Sequence, residues 1–174
     1  MRDPFLITTP TIINVSGGRT SALMLRRYLD ANGGRLPAET HAVFANVGRE
    51  RPETLDFLVR CAEAWGVDLR WIERTPGGGF REVTPETASR DGEPLATLFR
   101  ERRYLSNPVT RFCTADGKIQ TARDFMRARG YDHWTSAVGL RYDEPSRVHK
   151  LRARDAGQWD VACPLYDAKV TKGH

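Results

Sequence analysis

Cysteine is scarce in this chain. Three are spread over 174 residues, as Cys61, Cys113 and Cys163, and no C-x-x-C pair occurs. Such widely spaced thiols do not make the disulfide framework of a small secreted domain. Long apolar runs are missing too: none approaches the roughly 18 residues needed to cross a bilayer. Met1–Thr9 has one Arg and a short apolar patch, but no pattern of a secretion signal. A reducing cytoplasm is the expected compartment, with no membrane partner. No Lys/Arg block resembles a nucleic-acid-binding arm. The Walker phosphate motif, G-x-x-x-x-G-K-S/T, and the dinucleotide fingerprint, G-x-G-x-x-G, are both absent.

What is present suits one globular domain. The apolar fraction is 40%, enough for a hydrophobic core and too high for a disordered chain. Net charge is +5, from 27 basic and 22 acidic residues. That excess fits either an anionic partner or a mildly basic solvated surface.

The order of elements is legible from periodicity. Thr11–Val15 is a β-branched run that reads as a buried strand. Ala22, Leu25 and Leu29 recur at helical spacing from about Thr20, and Asn32-Gly33-Gly34 stops that helix. His41–Asn46 reads as a second strand. Pro52 suits a first helical turn, and Leu55, Leu58, Val59, Ala62 and Trp65 make one apolar face. Val67–Glu73 reads as a third strand. This βαβαβ rhythm predicts a parallel sheet covered by helices. Thr75–Pro94, rich in Gly and Pro, is expected to be a lid-like loop. Helices are expected over Leu95–Tyr104 and Ala115–Arg129, and a fourth strand near His133–Val138. Leu140–Ala156 is expected to be irregular. Asp160–Cys163 is a possible last strand, with no closing helix after it. That ending leaves three readings open: a truncated product, a fragment, or a fold that ends early.

Between the first strand and the first helix lies Ser16-Gly17-Gly18-Arg19-Thr20-Ser21. Glycines let a backbone turn sharply and approach an anion closely. Successive N–H groups then form an anion nest, and the helix start adds donors and partial positive charge. Ser16, Thr20 and Ser21 bring hydroxyls, and Arg19 a planar cationic fork. The same residues also suit a plain glycine turn that caps a helix.

Ser16-Gly17-Gly18-x-x-Ser21 resembles the S-G-G-x-D/T-S PP-loop of the ATP pyrophosphatases and their phosphoadenosine-phosphosulfate (PAPS) reductase-like relatives, including a phage-type branch. Three further blocks follow in that family's order. Phe44-Ala45-Asn46-Val47-Gly48 with Pro52-Glu53-Thr54 is similar to its F-x-D-T-G…P-E-T stretch. Arg111-Phe112-Cys113 with Lys118 resembles its R-C-C…K segment. Gly139-Leu140-Arg141 with Arg147 resembles its G-x-R…R segment.

The resemblance implies an α/β, Rossmann-like doubly wound parallel sheet of the adenine nucleotide alpha-hydrolase-like kind. It implies nucleotide contacts from Ser16, Gly17, Gly18, Arg19, Thr20, Ser21, Val43, Phe44, Asn46, Gly48, Gly139, Arg141 and Arg147. Val43–Phe44 would lie along the adenine, and Arg141 and Arg147 would neutralise phosphate or sulfate. The implied ligand is ATP, AMP, PAPS or a similar nucleotide, with Mg²⁺ accompanying ATP. A sulfur-carrier or nucleic-acid partner and a homo-oligomer are compatible with it.

The departures are specific. Thr20 stands where the ATP-hydrolysing branch has Asp, which weakens the case for a metal-linked attack on the α-phosphate. Asn46-Val47 replaces the reductase Asp-Thr. No redox-active Cys follows Cys163. A [4Fe–4S] cluster needs four thiolates, so Cys113 and Cys163 could be ligands only if a missing C-terminus or a partner supplied the others. Three functions follow: an enzyme of nucleotide α-phosphate or sulfur chemistry, a non-catalytic nucleotide sensor or subunit, and a component of nucleic-acid sulfur modification. Gly17→Val is expected to block nucleotide binding with the fold largely intact.

Overall fold

The computed structural model describes residues 3–105, 112–154 and 159–173. Its first strand, β1 (Thr11–Asn14), is flanked on both sides by parallel strands, β2 (Thr40–Asn46) and β5 (Thr135–Val138). β3 (Leu69–Arg74) extends the sheet beyond β2, and β6 (Asp160–Ala162) extends it beyond β5. An antiparallel edge strand, β4 (Phe80–Val83), completes the order β4-β3-β2-β1-β5-β6. The chain proceeds outward from β1 to β2 and β3, then returns to β1's other side. β1 is therefore at a topological switch point, where open α/β sheets form a crevice at the carboxyl ends of their strands.

Side chains alternate across the sheet, as the two-residue period requires. Ile13, Val15, Ala42, Phe44, Trp71 and Ala137 face one core. Helices α1 (Arg19–Ala31) and α2 (Pro52–Trp65) cover it with Met24, Leu25, Tyr28, Leu55 and Leu58. Full burial of each such side chain contributes about 1.5–3 kcal/mol. Ile12, Val43 and Ile72 face the other side, where Phe125 and Met126 of α5 (Thr121–Ala128) meet them. A smaller cluster joins Leu140, Val148 and Cys163.

Two expected irregular stretches contain regular structure. Within 75–94, Gly77, Gly78 and Gly79 take positive φ and turn β3 into β4. Only a short segment, 84–92, remains as an overlay, before α3 (Glu93–Arg102). Within 140–156, α6 (Pro145–Arg154) is a helix. Its exposed, mainly polar sequence buries Val148 completely and Leu151 partly, too few apolar positions to show a helical period.

The helix expected from Ala115 begins earlier, with α4 (Phe112–Thr114), and passes through a π-helical segment, Ala115–Gln120, into α5. A short closing helix, α7 (Pro164–Asp167), follows β6. Arg111 of the R-F-C block lies outside the described residues.

Candidate functional site

The two glycines of the 16–21 loop have different reasons to be glycine. Gly17 is buried with φ +79°, and a Cβ there would lie 2.4 Å from Thr54 Cγ2 on α2. The fold itself demands glycine at that position. Gly17→Val therefore strains the backbone and the α1–α2 contact, against the sequence-based expectation of an intact fold. Gly18 differs. Its backbone is ordinary extended chain, φ −87° and ψ 154°, and a Cβ would meet only Ser16 Oγ at 3.9 Å. Packing does not require glycine here. What the missing side chain leaves is open approach to the start of α1.

That helix start is prepared for an anion. α1 has no side-chain cap and no acidic residue in its first turn, so its leading N–H groups point outward with the positive end of the helix dipole. Ser21 closes the loop from inside. Its Oγ accepts from Ser16 N–H at 3.0 Å and donates to the Gly18 carbonyl at 2.9 Å, while Ser16 Oγ donates to it at 3.1 Å. Ser21 is buried, whereas Ser16, Gly18 and Arg19 are exposed.

The chain following β5 meets this loop. A Cβ at Gly139 would lie 3.2 Å from Ser21 Cα and 3.4 Å from its nitrogen, so glycine permits the close approach. Arg141 Nη1 donates to Thr20 Oγ1 at 3.1 Å and its Nε to Asp143 Oδ1 at 3.0 Å. That hydrogen bond holds the Asp143 carboxyl below its ordinary range. Glu144 accepts from the Arg141 backbone N–H and also binds Arg147. Thr20, Gly139, Arg141 and Arg147 are thus gathered at one end of the sheet.

Asn46 and Gly48 are placed elsewhere. Asn46 is buried, donating to Glu73 Oε1 at 2.7 Å and to the Ser89 carbonyl at 2.9 Å, and its Oδ1 accepts from Gly48 N–H at 2.9 Å. Glu73, fully buried, also accepts from Ser89 N–H at 2.6 Å and from Arg81 at 2.8 Å. Gly48 has φ +77° and would place a Cβ 2.9 Å from Gly92 backbone atoms. Both residues bind the 84–92 overlay to the sheet. Phe44 lies in the core, edge to face with Trp71 at 4.8 Å, and only its neighbours Val43 and Ala45 face the open side of β2.

That open side is a cavity of about 640 Å³, within the usual range for small-molecule sites. It runs along the sheet face between the 112–128 helix and α6. Ile12, Asn14, Val43, Ala45, Ser136 and Val138 form its floor, and Ser16 and Leu140 its head. Among the described residues, the charged ones lining it are Lys118, Arg123, Arg147 and Lys150. All are basic. Arg123, Lys150, Trp134 and Trp159 carried no signal in the sequence; Arg147 and Lys150 share a face only because α6 is a helix.

No family model matches the chain. In a search of curated proteins it is 25% identical over 146 residues to the uncharacterized nin region protein ORF290 of Escherichia phage lambda, a match covering 79% of this chain and 50% of that protein. Among solved structures, it superposes on the U34-tRNA thiolase NcsA from Methanococcus maripaludis, described with its [4Fe-4S] cluster, with a TM-score of 0.58, 18% identity and coverage of 99% of this chain and 57% of that one. The chain has the adenine nucleotide alpha-hydrolase-like fold. It spans about half the length of the proteins it matches.

The described residues do not fit a cluster of that kind. Among them, no group of three or more His, Cys, Asp or Glu could hold a metal ion. Cys163 is fully buried against Leu140 and Val148, and burial pushes its thiol up to about 11. Cys113 sits in α4, half-buried, with Thr114 Oγ1 at 3.9 Å. Among the described residues, no helix is long and apolar enough to cross a membrane.

Proposed function

We propose that the chain binds an adenine nucleotide at the head of this cavity, as an enzyme of nucleotide α-phosphate or sulfur chemistry. One observation carries the reading: α1's uncapped start, with a glycine at 18 that packing does not need, opens beside a cavity whose charged lining is basic among the described residues. Phosphates would sit on the loop N–H groups, with Ser16, Arg19, Thr20, Arg141 and Arg147 around them. The base would lie along β2 at Val43 and Ala45, on an apolar floor.

In an adenylation, an acceptor's lone pair forms a bond to the α-phosphorus while the bond to the bridging oxygen breaks and pyrophosphate leaves. The gathered donors and cations would stabilise the charge that develops on the phosphoryl oxygens. Mg²⁺ would enter with the triphosphate, since no carboxylate lines the cavity among the described residues. The same lack of a carboxylate, with Thr20 in the loop, favours a second reading: a nucleotide sensor or subunit without catalysis. Sulfur transfer to a nucleic acid is a further form of the enzyme reading. It is supported by the basic cavity and by the shared fold with a tRNA thiolase.

Pyrophosphate release separates the readings. ATP binding with acceptor-dependent pyrophosphate release supports the enzyme. ATP binding with no release across thiol, nucleic-acid and carboxylate acceptors supports the sensor. Absence of ATP, AMP and PAPS binding contradicts both.

A further inference from the structure

The cavity is longer than the nucleotide end accounts for. Thr11, Thr135 and Asp160 are level in the sheet, so Trp134 and Trp159 stand just below the start of β1, whereas Ser16 lies beyond its end. At about 3.3 Å per residue the trough runs roughly 20 Å from Trp134 to Ser16. Val43 is level with Asn14, which puts the nucleotide in the upper half.

Arg123 marks the lower half, and Lys150 lies about one helical turn along α6 from Arg147. The Arg123 guanidinium lies 5.0 Å from the centre of the Trp159 ring, and that ring stacks on Trp134 at 5.7 Å with 16° between planes. The aromatic pair holds the guanidinium in place but accepts none of its N–H groups in plane. Arg123 Nε is buried and has no hydrogen-bond partner among the described residues. A buried donor left without an acceptor is costly, because the hydration it has lost is not replaced. Lys150, on the opposite wall, forms no ion pair among the described residues, whereas Lys118 pairs with Glu50 at 2.9 Å and Arg147 pairs with Glu144. The two uncommitted cations therefore stand on the two walls of one trough.

We propose that Arg123 and Lys150 form a second anion subsite, which takes a phosphoryl or sulfuryl group of a co-substrate while the nucleotide fills the head of the cavity. The inference rests on the nucleotide reading for what lies above it. Two positive charges with no carboxylate partner among the described residues match a tetrahedral oxyanion. The planar fork of arginine and the compact charge of lysine are both suited to such an oxyanion.

The test uses the chain saturated with α,β-methylene-ATP and titrated calorimetrically, at constant ionic strength, with inorganic phosphate and with ribose 5-phosphate. Both probes are expected to bind the loaded chain, tighter binding of the ester marking a co-substrate and equal binding a free ion. Arg123→Gln and Lys150→Gln should each weaken probe binding about tenfold or more, with the affinity for the ATP analogue changed less than about twofold. Lys150 is exposed, so its variant keeps the test open if Arg123→Gln misfolds. Unchanged probe affinity in a folded Lys150→Gln, or simple competition between probe and analogue, overturns the subsite. If the analogue itself fails to bind, the nucleotide reading fails separately. Phosphate titration of the unloaded chain then decides: loss in Lys150→Gln but not in Gly18→Val supports the subsite, and the reverse overturns it.

Discussion

Arg141 and Thr20 are 121 residues apart and joined by a 3.1 Å hydrogen bond from Nη1 to Oγ1. The bond ties the loop after β1 to the chain after β5, across the switch point of the sheet. It also holds a guanidinium, partnered on its other edge by Asp143, beside the open start of α1. Arg141→Gln should weaken ATP binding about tenfold or more, the usual effect of losing a hydrogen bond to a charged group. Thermal stability should change little, because the ion pairs of Arg141 are at the surface. Isothermal calorimetry with a parallel melting curve checks both.

The overlay at 84–92 should depend on Asn46 and Glu73. Asn46→Ala removes an amide that bonds Glu73, Ser89 and Gly48 together and leaves a buried carboxylate short of a donor. Arg81 and Ser89 N–H still serve Glu73, so a loss of about 1–3 kcal/mol is expected, as for a buried group left short of a hydrogen bond, and urea denaturation measures it. Glu73→Gln should be milder, since an amide can still accept from Ser89 N–H.

Half-buried His41 and buried Cys163 predict opposite flanks of the pH–stability curve. Burial first, then Arg129 and Arg70, lowers the His41 pKa below 6.5. The unfolded chain therefore takes up the proton more readily, and this contribution to stability is present above about pH 6.5 and lost as pH falls. Cys163 has the reverse sign: burial raises its thiol from 9.0 to about 11, so its contribution is present below pH 9 and lost as pH rises towards 11. His41→Leu should flatten the acid flank in pH-dependent melting.

Cys163 should also resist alkylation. At pH 8 its thiol is protonated and enclosed, and the thiolate is the nucleophile. Iodoacetamide with peptide mass mapping should leave Cys163 unmodified in the native chain and label it in urea.

Much of this architecture was legible in the sequence, and the exceptions have physical causes. β1, β2, α1 and α2 bury continuous apolar faces, so their periods stand out. β4 is an edge strand with no fully buried residue, which gives it no pattern. α6 buries Val148 and part of Leu151 on a polar helix. The 16–21 loop was visible because glycine and hydroxyl residues cluster there. Asn46 was legible as a position but not as a role, because its partners Glu73 and Ser89 lie 27 and 43 residues away. Arg123 meets its Trp pair only through tertiary packing.

The two glycines give the most direct test of nucleotide binding at this loop. Gly18 has ordinary backbone angles and room for a Cβ, so Gly18→Val should fold, with a melting temperature lowered by about 2–4 °C for the poorer N-cap residue. Its side chain would project over the leading N–H groups of α1 and block an approaching phosphate. Calorimetric titration of both chains with ATP should show binding by the wild type and a loss of about a hundredfold or more in the variant. A folded Gly18→Val chain that binds ATP as tightly as the wild type, or a wild type that binds none, contradicts a phosphate site at Ser16–Ser21.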